Sequence, residues 1–272
     1  MSQVVVITGS TRGIGHGLAT EFLKRGHRVV VTGRSAAAVE RTVAELGQLG
    51  PVLGQVLDVR SLAANRAAWD AAVAKFGRVD IWIANAAIAT DHMPFAELPA
   101  DQIAATLETN LAGALYGARV AVAGMLQQGG GRFFTFEGFG SNDMISPGLA
   151  VYGTTKRAIR YFTRALAKEC EGTSVLVGAL SPGMVPTDLL LYSSRGDDPV
   201  AWARARRIMN ILADRVETVT PWLVEQALAS TKQGARIEWL TRGKAMRRFL
   251  LAPFRKRDLI ADLEARGDVV VR

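Results

Sequence analysis

The chain has 272 residues, enough to fill one large α/β domain, since domains above roughly 250 to 300 residues tend to split. Hydrophobic residues make up 49% and charged residues 21%, proportions of an ordinary globular protein that exclude disorder along its whole length. The formal charge is +8, yet residues 232–272 alone carry 11 Lys and Arg against 5 Asp and Glu. The positive charge therefore belongs to a C-terminal tail. This argues against nucleic-acid binding, which places such charge on the folded domain.

Cysteine and histidine usage excludes two further kinds of site. The single cysteine, Cys170, cannot form an internal disulfide, which favours a reducing compartment. The three histidines lack the spacing of metal ligands, so we expect no metal site. The first predicted strand begins within a few residues of Met1, so we expect no signal peptide and a cytoplasmic protein.

Strand-like and helical stretches alternate along the first two thirds of the chain. The apolar stretches that predict strands cover residues 4–8, 28–32, 52–57, 79–84, 132–136 and 174–180. The stretches with helical periodicity cover residues 15–25, 36–49, 63–76, 101–126 and 151–171. Short, nearly unbroken apolar strands alternating with helices are typical of a parallel sheet covered on both faces. We therefore predict an α/β fold with a doubly wound parallel sheet of the Rossmann type.

The regular alternation ends after Ser181. Prolines and a charged stretch interrupt it before a helical stretch at 201–212; they are Pro182, Pro186, Pro199 and residues 195–198. We expect a helical lid over the strand ends, at about residues 186–220. Its apolar side chains would either line a site for an apolar substrate or pack the lid on its own domain. They are Leu189, Leu190, Leu191, Tyr192, Trp202, Ile208 and Met209.

The C-terminal part mixes basic and apolar residues. A last strand at 236–241 would complete a single domain of residues 1–241, followed by a basic tail of residues 242–272. Three interpretations of this tail stay open: a solvated helix that covers the domain, a peripheral contact for an anionic membrane surface, and a partner-binding segment. Its cations are Arg242, Lys244, Arg247, Arg248, Arg255, Lys256 and Arg257, and its apolar residues are Met246, Phe249, Leu250, Leu251 and Phe254.

A glycine-rich turn follows the first predicted strand and opens the first helix. Its residues are Gly9, Ser10, Thr11, Arg12, Gly13, Ile14 and Gly15. Glycine lets the backbone approach a pyrophosphate closely, and a helix N-terminus supplies free N–H groups and the positive end of the helix dipole. In this context the turn predicts a dinucleotide-binding site and not an ordinary turn.

The end of the second strand indicates which dinucleotide is bound. An NAD-binding protein usually has Asp or Glu there for the ribose hydroxyls, whereas this chain has the sequence Thr-Gly-Arg-Ser around Arg34. Arg34 and Arg12 offer two guanidinium groups suited to a 2′-phosphate, which favours NADP(H) over two merely solvated arginines. Asp58, followed by Val59 at the end of the third strand, either contacts the adenine amino group or simply forms a turn.

Tyr152 and Lys156 are the candidate catalytic pair. They lie four residues apart at the start of the predicted helix 151–171, so their side chains share one face. A phenol has an ordinary pKa near 10, and a neighbouring ammonium stabilises the phenolate. Such a pair is usually a coincidence on a surface, but after the fifth strand of a dinucleotide-binding fold it indicates a proton-transfer unit.

Taken together and in order, these motifs resemble the short-chain dehydrogenase/reductase family. The shared set covers roughly residues 4–187; it comprises the glycine-rich turn, Asn85-Ala86-Ala87 after the fourth strand, Asn110 in the following helix, Tyr152 with Lys156, and Ser181-Pro182-Gly183 with Thr187. The resemblance implies hydride transfer at a nicotinamide, with Tyr152 donating or accepting the substrate proton.

The same resemblance implies roles for further residues. Lys156 would bind the nicotinamide ribose and lower the pKa of Tyr152, and Asn110 would hold a water in the proton path. Val185 and Thr187 would hold the nicotinamide carboxamide, beside Pro182 and Gly183. The family's usual dimer faces correspond to the predicted helices 101–126 and 151–171, so we expect a homodimer.

Two positions depart from the family pattern. The usual Asn-Asn-Ala-Gly is Ala84-Asn85-Ala86-Ala87 here, which keeps the asparagine and adds a methyl group. Gly138 occupies the place of the catalytic serine that would polarise the substrate carbonyl. Ser141, three residues further on, could swing into the site as a displaced donor, or could merely turn the loop.

The departure at Gly138 also occurs in a narrower branch, the chlorophyll b reductase-like members of plants and cyanobacteria. These are similar in the Glu-Gly-Phe-Gly-Ser segment ending at Ser141 and in the segments around Tyr152 and Thr187. The resemblance implies reduction of a carbonyl on a bulky, apolar substrate. We therefore expect an NADP(H)-dependent oxidoreductase that interconverts a carbonyl and an alcohol. The alternative is a catalytically weak NADP(H)-binding sensor or scaffold.

Overall fold

A seven-stranded parallel sheet forms the centre of the protein. The computed structural model describes residues 2–194, 199–254 and 257–266. The strands are β1 Val4–Ile7, β2 Arg28–Gly33, β3 Val52–Val56, β4 Ile81–Ala84, β5 Gly131–Phe136, β6 Val175–Ser181 and β7 Arg236–Glu238. They lie in the order β3-β2-β1-β4-β5-β6-β7, and every pair is parallel. The predicted Rossmann-type fold is confirmed, and the strand order reverses between β1 and β4, the point at which such folds bind ligands.

Helices cover both faces of this sheet. In the described residues they are α1 Gly13–Lys24, α2 Ala36–Leu46, α3 Leu62–Phe76, α4 Ala100–Leu107, α5 Gly113–Gln127, α6 Ala150–Glu169, α7 Asp188–Ser194, α8 Pro199–Leu212, α9 Val216–Ala229, α10 Arg242–Leu251 and α11 Leu259–Arg266. Ser35 and Ser61 cap α2 and α3, each accepting a hydrogen bond from a backbone N–H of the first turn.

Strand side chains alternate between two apolar layers. Val6 and Trp82 belong to the layer formed with α3, α5 and α6, where Trp82 stacks on Trp69 with ring centroids 6.4 Å apart. Val5 and Ile81, their neighbours along the strands, belong to the opposite layer with α1 and α9. Burial of such side chains contributes about 1.5–3 kcal/mol each, which explains why the strands have no polar face.

The predicted helix 101–126 consists of two helices. A π-helical turn, Glu108–Ala112, joins α4 to α5. A Cβ at Gly113 would come within 2.6 Å of Val59, so the glycine allows α5 to pack closely against the loop after β3. Turns of this kind are common at functional sites, and Asn110 lies in this one.

Helix α9 was not predicted from the sequence, and Pro221, a residue that usually breaks helices, lies inside it. Its apolar residues, including Val219 and Leu223, are fully buried against α1, and Gly17 of α1 has no room for a Cβ beside Val216. Packing thus outweighs the lost backbone hydrogen bond. Residues 216–220, assigned to the lid from the sequence, are the beginning of this core helix.

The lid and the tail pack against each other. Leu191 of α7 and Met209 of α8 share a buried apolar cluster with Leu259, Ile260 and Leu263 of α11. Several apolar lid residues therefore stabilise the lid itself, the second of the two interpretations of their role, and the end of the tail covers them.

A buried carboxylate anchors the rest of the tail. Asp214 accepts hydrogen bonds from Trp239 Nε1 and from Arg248 Nη2, both at 2.7 Å, and Lys244 Nζ lies 3.1 Å from the centroid of the Trp239 ring. The tail cations Arg255 and Lys256 lie outside the described residues. Within the described ranges, no helix combines the length and apolarity needed to cross a bilayer.

Candidate active site

The glycine-rich turn between β1 and α1 is shaped by close backbone contacts. Gly9 and Gly13 have φ values of +64° and +56°, a conformation that favours glycine. A Cβ at Gly15 would lie 2.4 Å from the carbonyl oxygen of Gly9, so no larger residue fits. Asn85 Nδ2 donates to the carbonyl oxygens of Thr8 and Gly9, at 2.9 and 3.1 Å. Asn85 thus holds the turn from β4.

Some side chains of the turn hold it in place, and others are exposed. Ser10 Oγ donates to the carbonyl of Ile7 and accepts from the N–H of Thr32, both at 2.8 Å, so this hydroxyl ties the turn to β2. Ile14 packs against the apolar core. Arg12 is exposed, and its guanidinium lies 3.8 Å from Asp188 at the start of α7. The turn therefore presents backbone groups and one cation toward the lid.

Arg34 lies beside the turn, at the carboxyl end of β2. Thr11 is so close to Gly33 that a Cβ there would meet its methyl group at 2.7 Å. Arg34 is exposed. Asp58 is occupied by Arg60, whose Nη2 lies 2.7 Å from it; this guanidinium, with a smaller contribution from Arg34, lowers the Asp58 pKa.

The remaining candidate cofactor residues lie in the segments that follow β3, β4 and β6. Ala86 follows β4, and a Cβ at Gly9 would meet its Cα at 2.9 Å. Thr187, just before the lid, lies 3.3 Å from the Cβ position of Gly13, so it lies against the glycine-rich turn. Val59 and Val185 are buried. Pro182 and Gly183 lead from β6 into this segment; Gly183 has a φ of +74°, and a Cβ there would overlap Leu240.

Tyr152 and Lys156 lie together at the start of α6. Lys156 Nζ is 5.6 Å from the centroid of the Tyr152 ring and donates to the carbonyl of Phe136 at 3.1 Å. Burial raises the pKa of Tyr152 to about 12 and lowers the pKa of Lys156 to about 8. The family resemblance implied a lowered tyrosine pKa, whereas desolvation raises the Tyr152 pKa in this structure. At neutral pH the phenol therefore keeps its proton and can act as an acid.

Gly138, in the place of the family's serine, directly faces this pair. A Cβ at Gly138 would lie 2.7 Å from Tyr152 Oη and 3.3 Å from Lys156 Cε. The predicted placement of residue 138 beside the tyrosine therefore agrees with the geometry. The space in which a serine side chain would begin is taken by the tyrosine hydroxyl itself.

Ser141 does not act as a displaced donor in this structure, because its hydroxyl is directed to Glu137 and not to Tyr152. Ser141 is buried, and its hydroxyl donates to Glu137 Oε2 at 3.4 Å. Its carbonyl accepts from Arg157 Nη1 and Arg160 Nη1 at 3.3 and 2.9 Å. In this arrangement Ser141 fixes the loop after β5, the second interpretation offered by the sequence.

Asn110 connects three segments around the site. Its Oδ1 accepts from the N–H of Ile88, and its Nδ2 donates to the Ile88 carbonyl, both at 2.8 Å. The same Nδ2 donates to Thr155 Oγ1 of α6 at 3.2 Å. Both protons of the Asn110 side-chain amide are therefore donated within the protein. A water in a proton path would have to bind to other atoms of Asn110, such as its backbone.

Glu137 and Arg236 are site residues that the sequence pattern did not reveal. Glu137 directly follows β5 and is buried, and its Oε2 accepts from Arg236 Nε of β7 at 2.7 Å. An acidic residue directly after an apolar strand could have indicated a buried carboxylate. Its partner Arg236 lies 99 residues away in the chain, so the pair cannot be recognised from local spacing.

These residues fit a dinucleotide. The glycine-rich turn and the uncapped N-terminus of α1 match a pyrophosphate, and Tyr152 with Lys156 lies further along the strand ends. Among the described residues, no cluster of His, Cys, Asp and Glu could hold a metal ion.

A fold with this strand order, a glycine-rich turn and a Tyr–Lys pair defines a class of nicotinamide-dependent oxidoreductases. The chain belongs to the short-chain dehydrogenase family, whose model, described as short chain dehydrogenase, matches residues 3–197.

Relatives place the chain near one branch of that family. It is 38% identical over 256 residues to the chlorophyll(ide) b reductase NOL, chloroplastic, of Oryza sativa subsp. japonica, covering 90% of this chain and 73% of the relative. It is 35% identical over 259 residues to the probable chlorophyll(ide) b reductase NYC1, chloroplastic, of Arabidopsis thaliana, covering 87% of this chain but only 50% of that relative. The resemblance to the chlorophyll b reductase-like branch is confirmed, although the chain spans about half the length of the second relative.

Solved structures share the fold. The crystal structure of levodione reductase superposes with a TM-score of 0.81 at 22% identity, covering 89% of this chain and 98% of that one. The 3-ketoacyl-(acyl-carrier-protein) reductase of Brucella melitensis, complexed with NADH, gives a TM-score of 0.78 at 25% identity over 89% and 98% of the two chains.

Proposed function

We propose that this protein is an NADP(H)-dependent oxidoreductase that interconverts a carbonyl and an alcohol on a bulky, apolar substrate. The observation that carries the proposal is the pairing of half-buried Tyr152 with buried Lys156, with the phenol hydroxyl beside Gly138 at the carboxyl ends of the strands. Family membership supports the oxidoreductase class.

The residues of the site would divide the chemistry as follows. A bound nicotinamide supplies the hydride in reduction and accepts it in oxidation. Tyr152 Oη donates the proton that the carbonyl oxygen needs, since its raised pKa keeps it protonated at neutral pH. Lys156 holds a positive charge close to the resulting phenolate, which stabilises the anion. The lid and the loop before α6 would exclude water from the transfer.

Three observations support NADP(H) as the cofactor. The end of β2 lacks an acidic residue, Arg34 is exposed beside the glycine-rich turn, and Arg12 lies in the turn itself. A further relative, 31% identical over 73% of this chain, is the NADP-dependent 3-hydroxy acid dehydrogenase YdfG of Salmonella typhi.

The cofactor assignment predicts a selective effect of Arg34→Ala. Loss of a charge-assisted contact to a phosphate costs about 1.5–3 kcal/mol, or on the order of 10- to 100-fold in Kd. We expect this loss for NADPH and almost none for NADH, measured by fluorescence titration. The matched control is Arg41→Ala, an exposed arginine of α2. Equal losses for both cofactors would contradict the phosphate assignment.

An apolar substrate is supported by the surface near the site. The segment between β5 and α6 exposes Met144 and Ile145, the latter at 95% of its surface, shortly before Tyr152. Tyr192 of α7 is hydrogen-bonded to Asp91 in the loop after β4, which links the lid to the opposite side of the strand ends. The relatives named as chlorophyll(ide) b reductases act on a large molecule, which is consistent with a bulky carbonyl substrate here.

Turnover by the wild type and Tyr152→Phe tests the activity. A panel of aryl and polycyclic aldehydes, ketones and the corresponding alcohols would be followed by NADPH absorbance. We expect the phenylalanine variant to lose on the order of 10²- to 10⁴-fold in kcat, because the proton donor is gone, with NADPH affinity within about twofold of wild type. A variant that turns over at the wild-type rate would remove the assigned role.

A second candidate function is an NADP(H)-binding sensor or scaffold. The observation that favours it is the hydrogen bond of Ser141 to Glu137, which leaves Tyr152 without a second hydroxyl donor beside it at residue 138 or 141. Tight NADPH binding with no turnover on any substrate of the panel would favour the sensor.

Assembly and location belong to the same proposal. We propose a homodimer through α4, α5 and α6, supported by the exposed Tyr116 and Tyr161 on these helices. We also propose a cytoplasmic, reducing location, supported by the buried free thiol of Cys170. Peripheral membrane contact stays a prediction; Met246, Leu250 and Phe254 are exposed on the tail and would provide its apolar face.

A further inference from the structure

Glu137 is a buried carboxylate that the proposed reaction does not use. Only 3% of its surface is exposed, and it directly precedes Gly138, the residue facing Tyr152. A charged carboxylate in such a place is costly unless its oxygens are paired and hydrogen-bonded. The groups that pair with Glu137 therefore indicate its role in the site.

The partners of Glu137 come from three elements. Arg236 Nε of β7 donates to Oε2 at 2.7 Å, Ser141 Oγ of the following loop donates to the same oxygen at 3.4 Å, and Arg160 Nε of α6 lies 4.0 Å from Oε1. Arg236 is held in turn by Glu238 at 2.5 Å. The carboxylate is thus paired with an arginine of β7 and lies near a second arginine, on α6.

Lys156 lies close to this carboxylate. Its Nζ donates to the carbonyl of Phe136, the residue before Glu137, at 3.1 Å. Burial lowers the pKa of Lys156, and the negative charge of Glu137 opposes that effect. Among the described residues, Tyr152 lies beside Lys156 on the same helix, and the charge of Glu137 at the end of β5 acts on it. Arg160, one turn further along α6, faces Glu137 Oε1.

We propose that Glu137 is a positioning residue of this site: its carboxylate, fixed by Arg236 and Ser141, keeps Lys156 charged beside the phenol of Tyr152. The oxygens of Glu137 pair with arginines instead of the ammonium, so the lysine stays available to the phenol and to a cofactor. The consequence for turnover rests on the proposed function, whereas the effect on the charge of Lys156 does not.

Direct titration of Lys156 tests the charge effect without a substrate. Carbon-13 at the lysine Cε position reports protonation by NMR, and the Lys156→Met variant assigns the signal. Wild-type Lys156 should titrate near pH 8. In Glu137→Gln the midpoint should fall by about one pH unit, because a nearby opposite charge shifts a pKa by roughly one to three units. Glu137→Asp keeps the charge and should restore most of the difference.

Glu238→Gln is the matched control. Glu238 also pairs with Arg236, but its charge does not contribute to the pKa of Lys156, so the midpoint should stay at the wild-type value. If Glu137→Gln alone fails to fold, the double variant Glu137→Gln, Arg236→Gln is compared with Arg236→Gln; the Lys156 midpoint should be lower in the double variant, because only the carboxylate differs between the two. An unchanged midpoint in Glu137→Gln, or equal midpoints in the two Arg236→Gln variants, would overturn the proposal.

Turnover with NADPH and a carbonyl from the panel gives the second readout. The pH at which kcat declines on the alkaline side should move down in Glu137→Gln by the same interval as the Lys156 midpoint, with the KM for NADPH little changed. A shifted midpoint with no turnover even in the wild type would refute the proposed function alone. Normal turnover with an unshifted midpoint would refute the role of Glu137 alone.

Discussion

The hydroxyl of Tyr152 lies within 2.7 Å of the position that a Cβ of residue 138 would take. A Cβ at that position would approach the phenol oxygen to 2.7 Å, far inside van der Waals contact. The absence of a side chain at residue 138 therefore leaves the room that the Tyr152 hydroxyl occupies.

This geometry predicts that restoring the family's serine reduces activity. In Gly138→Ser the new Cβ must displace the phenol, and a misplacement of about 1 Å at a reacting group can cost on the order of 100-fold in rate. We expect kcat to fall by at least about tenfold, with NADPH affinity nearly unchanged. Ser141→Ala is the matched hydroxyl change, expected to have a smaller effect. A serine variant faster than wild type would contradict the geometry.

Lys156 predicts a conflict between stability and activity. Its pKa in the folded protein, about 8, lies below the ordinary value, so burial penalises its charged form. At neutral pH Lys156 is charged in both the folded and the unfolded state, so the penalty lowers the free energy of unfolding in full. Between about pH 8 and pH 10 the folded protein loses this proton before the unfolded chain does, and the penalty disappears.

We therefore expect Lys156→Met to raise the free energy of unfolding at pH 7 by about 1–3 kcal/mol while abolishing turnover. The gain should shrink above pH 9, and chemical denaturation at several pH values measures it. Tyr152→Phe, which removes no cation, serves for comparison. A methionine variant equally stable at pH 7 and pH 10 relative to wild type would contradict the assigned penalty.

At the scale of elements, the turn between β1 and α1 depends on the strand beside it. Asn85 of the β4 end holds the carbonyls of Thr8 and Gly9, and Gly15 lets α1 begin directly against them. The shape of the glycine-rich turn, residues 9–15, thus depends on two neighbouring strands and one helix.

Gly15→Ala should disrupt this turn. Its Cβ would lie 2.4 Å from the Gly9 carbonyl and 2.6 Å from Asn85 Nδ2, so the turn must open. We expect NADPH binding to weaken by more than about tenfold, a loss of roughly 1.4 kcal/mol, measured by titration. Gly243→Ala in α10, where a Cβ meets nothing within 4 Å, should leave binding unchanged. Unweakened binding in Gly15→Ala would count against this role of the turn.

At the scale of the whole molecule, the basic tail is part of the fold. Leu259, Ile260 and Leu263 complete the apolar cluster of the lid, and Asp214 is buried against Arg248 and Trp239. The charge pattern that suggested a separate appendage thus serves in part to hold the tail on the domain.

Truncation after residue 241 should therefore destabilise the protein. It uncovers Leu191 and Met209 and removes both Arg248 and Arg257, the cations that pair with buried Asp214. Losing the partner of a buried charge costs about 3–5 kcal/mol. We expect a lower Tm and increased binding of an apolar dye. Met246→Ser, at an exposed tail position, is the control and should change neither. A truncated protein with the wild-type Tm would show that the tail is dispensable.

The sequence by itself determined the sheet, its flanking helices and the candidate residues of the glycine turn and the Tyr–Lys pair. These features depend on local periodicity and short spacings, which a linear pattern retains. Only the tertiary structure decided that α9 belongs to the core despite Pro221, that the tail supports the lid, and that Glu137 meets Arg236. It also decided the direction of the Tyr152 pKa, because desolvation and long-range pairing depend on which distant segments the fold brings together.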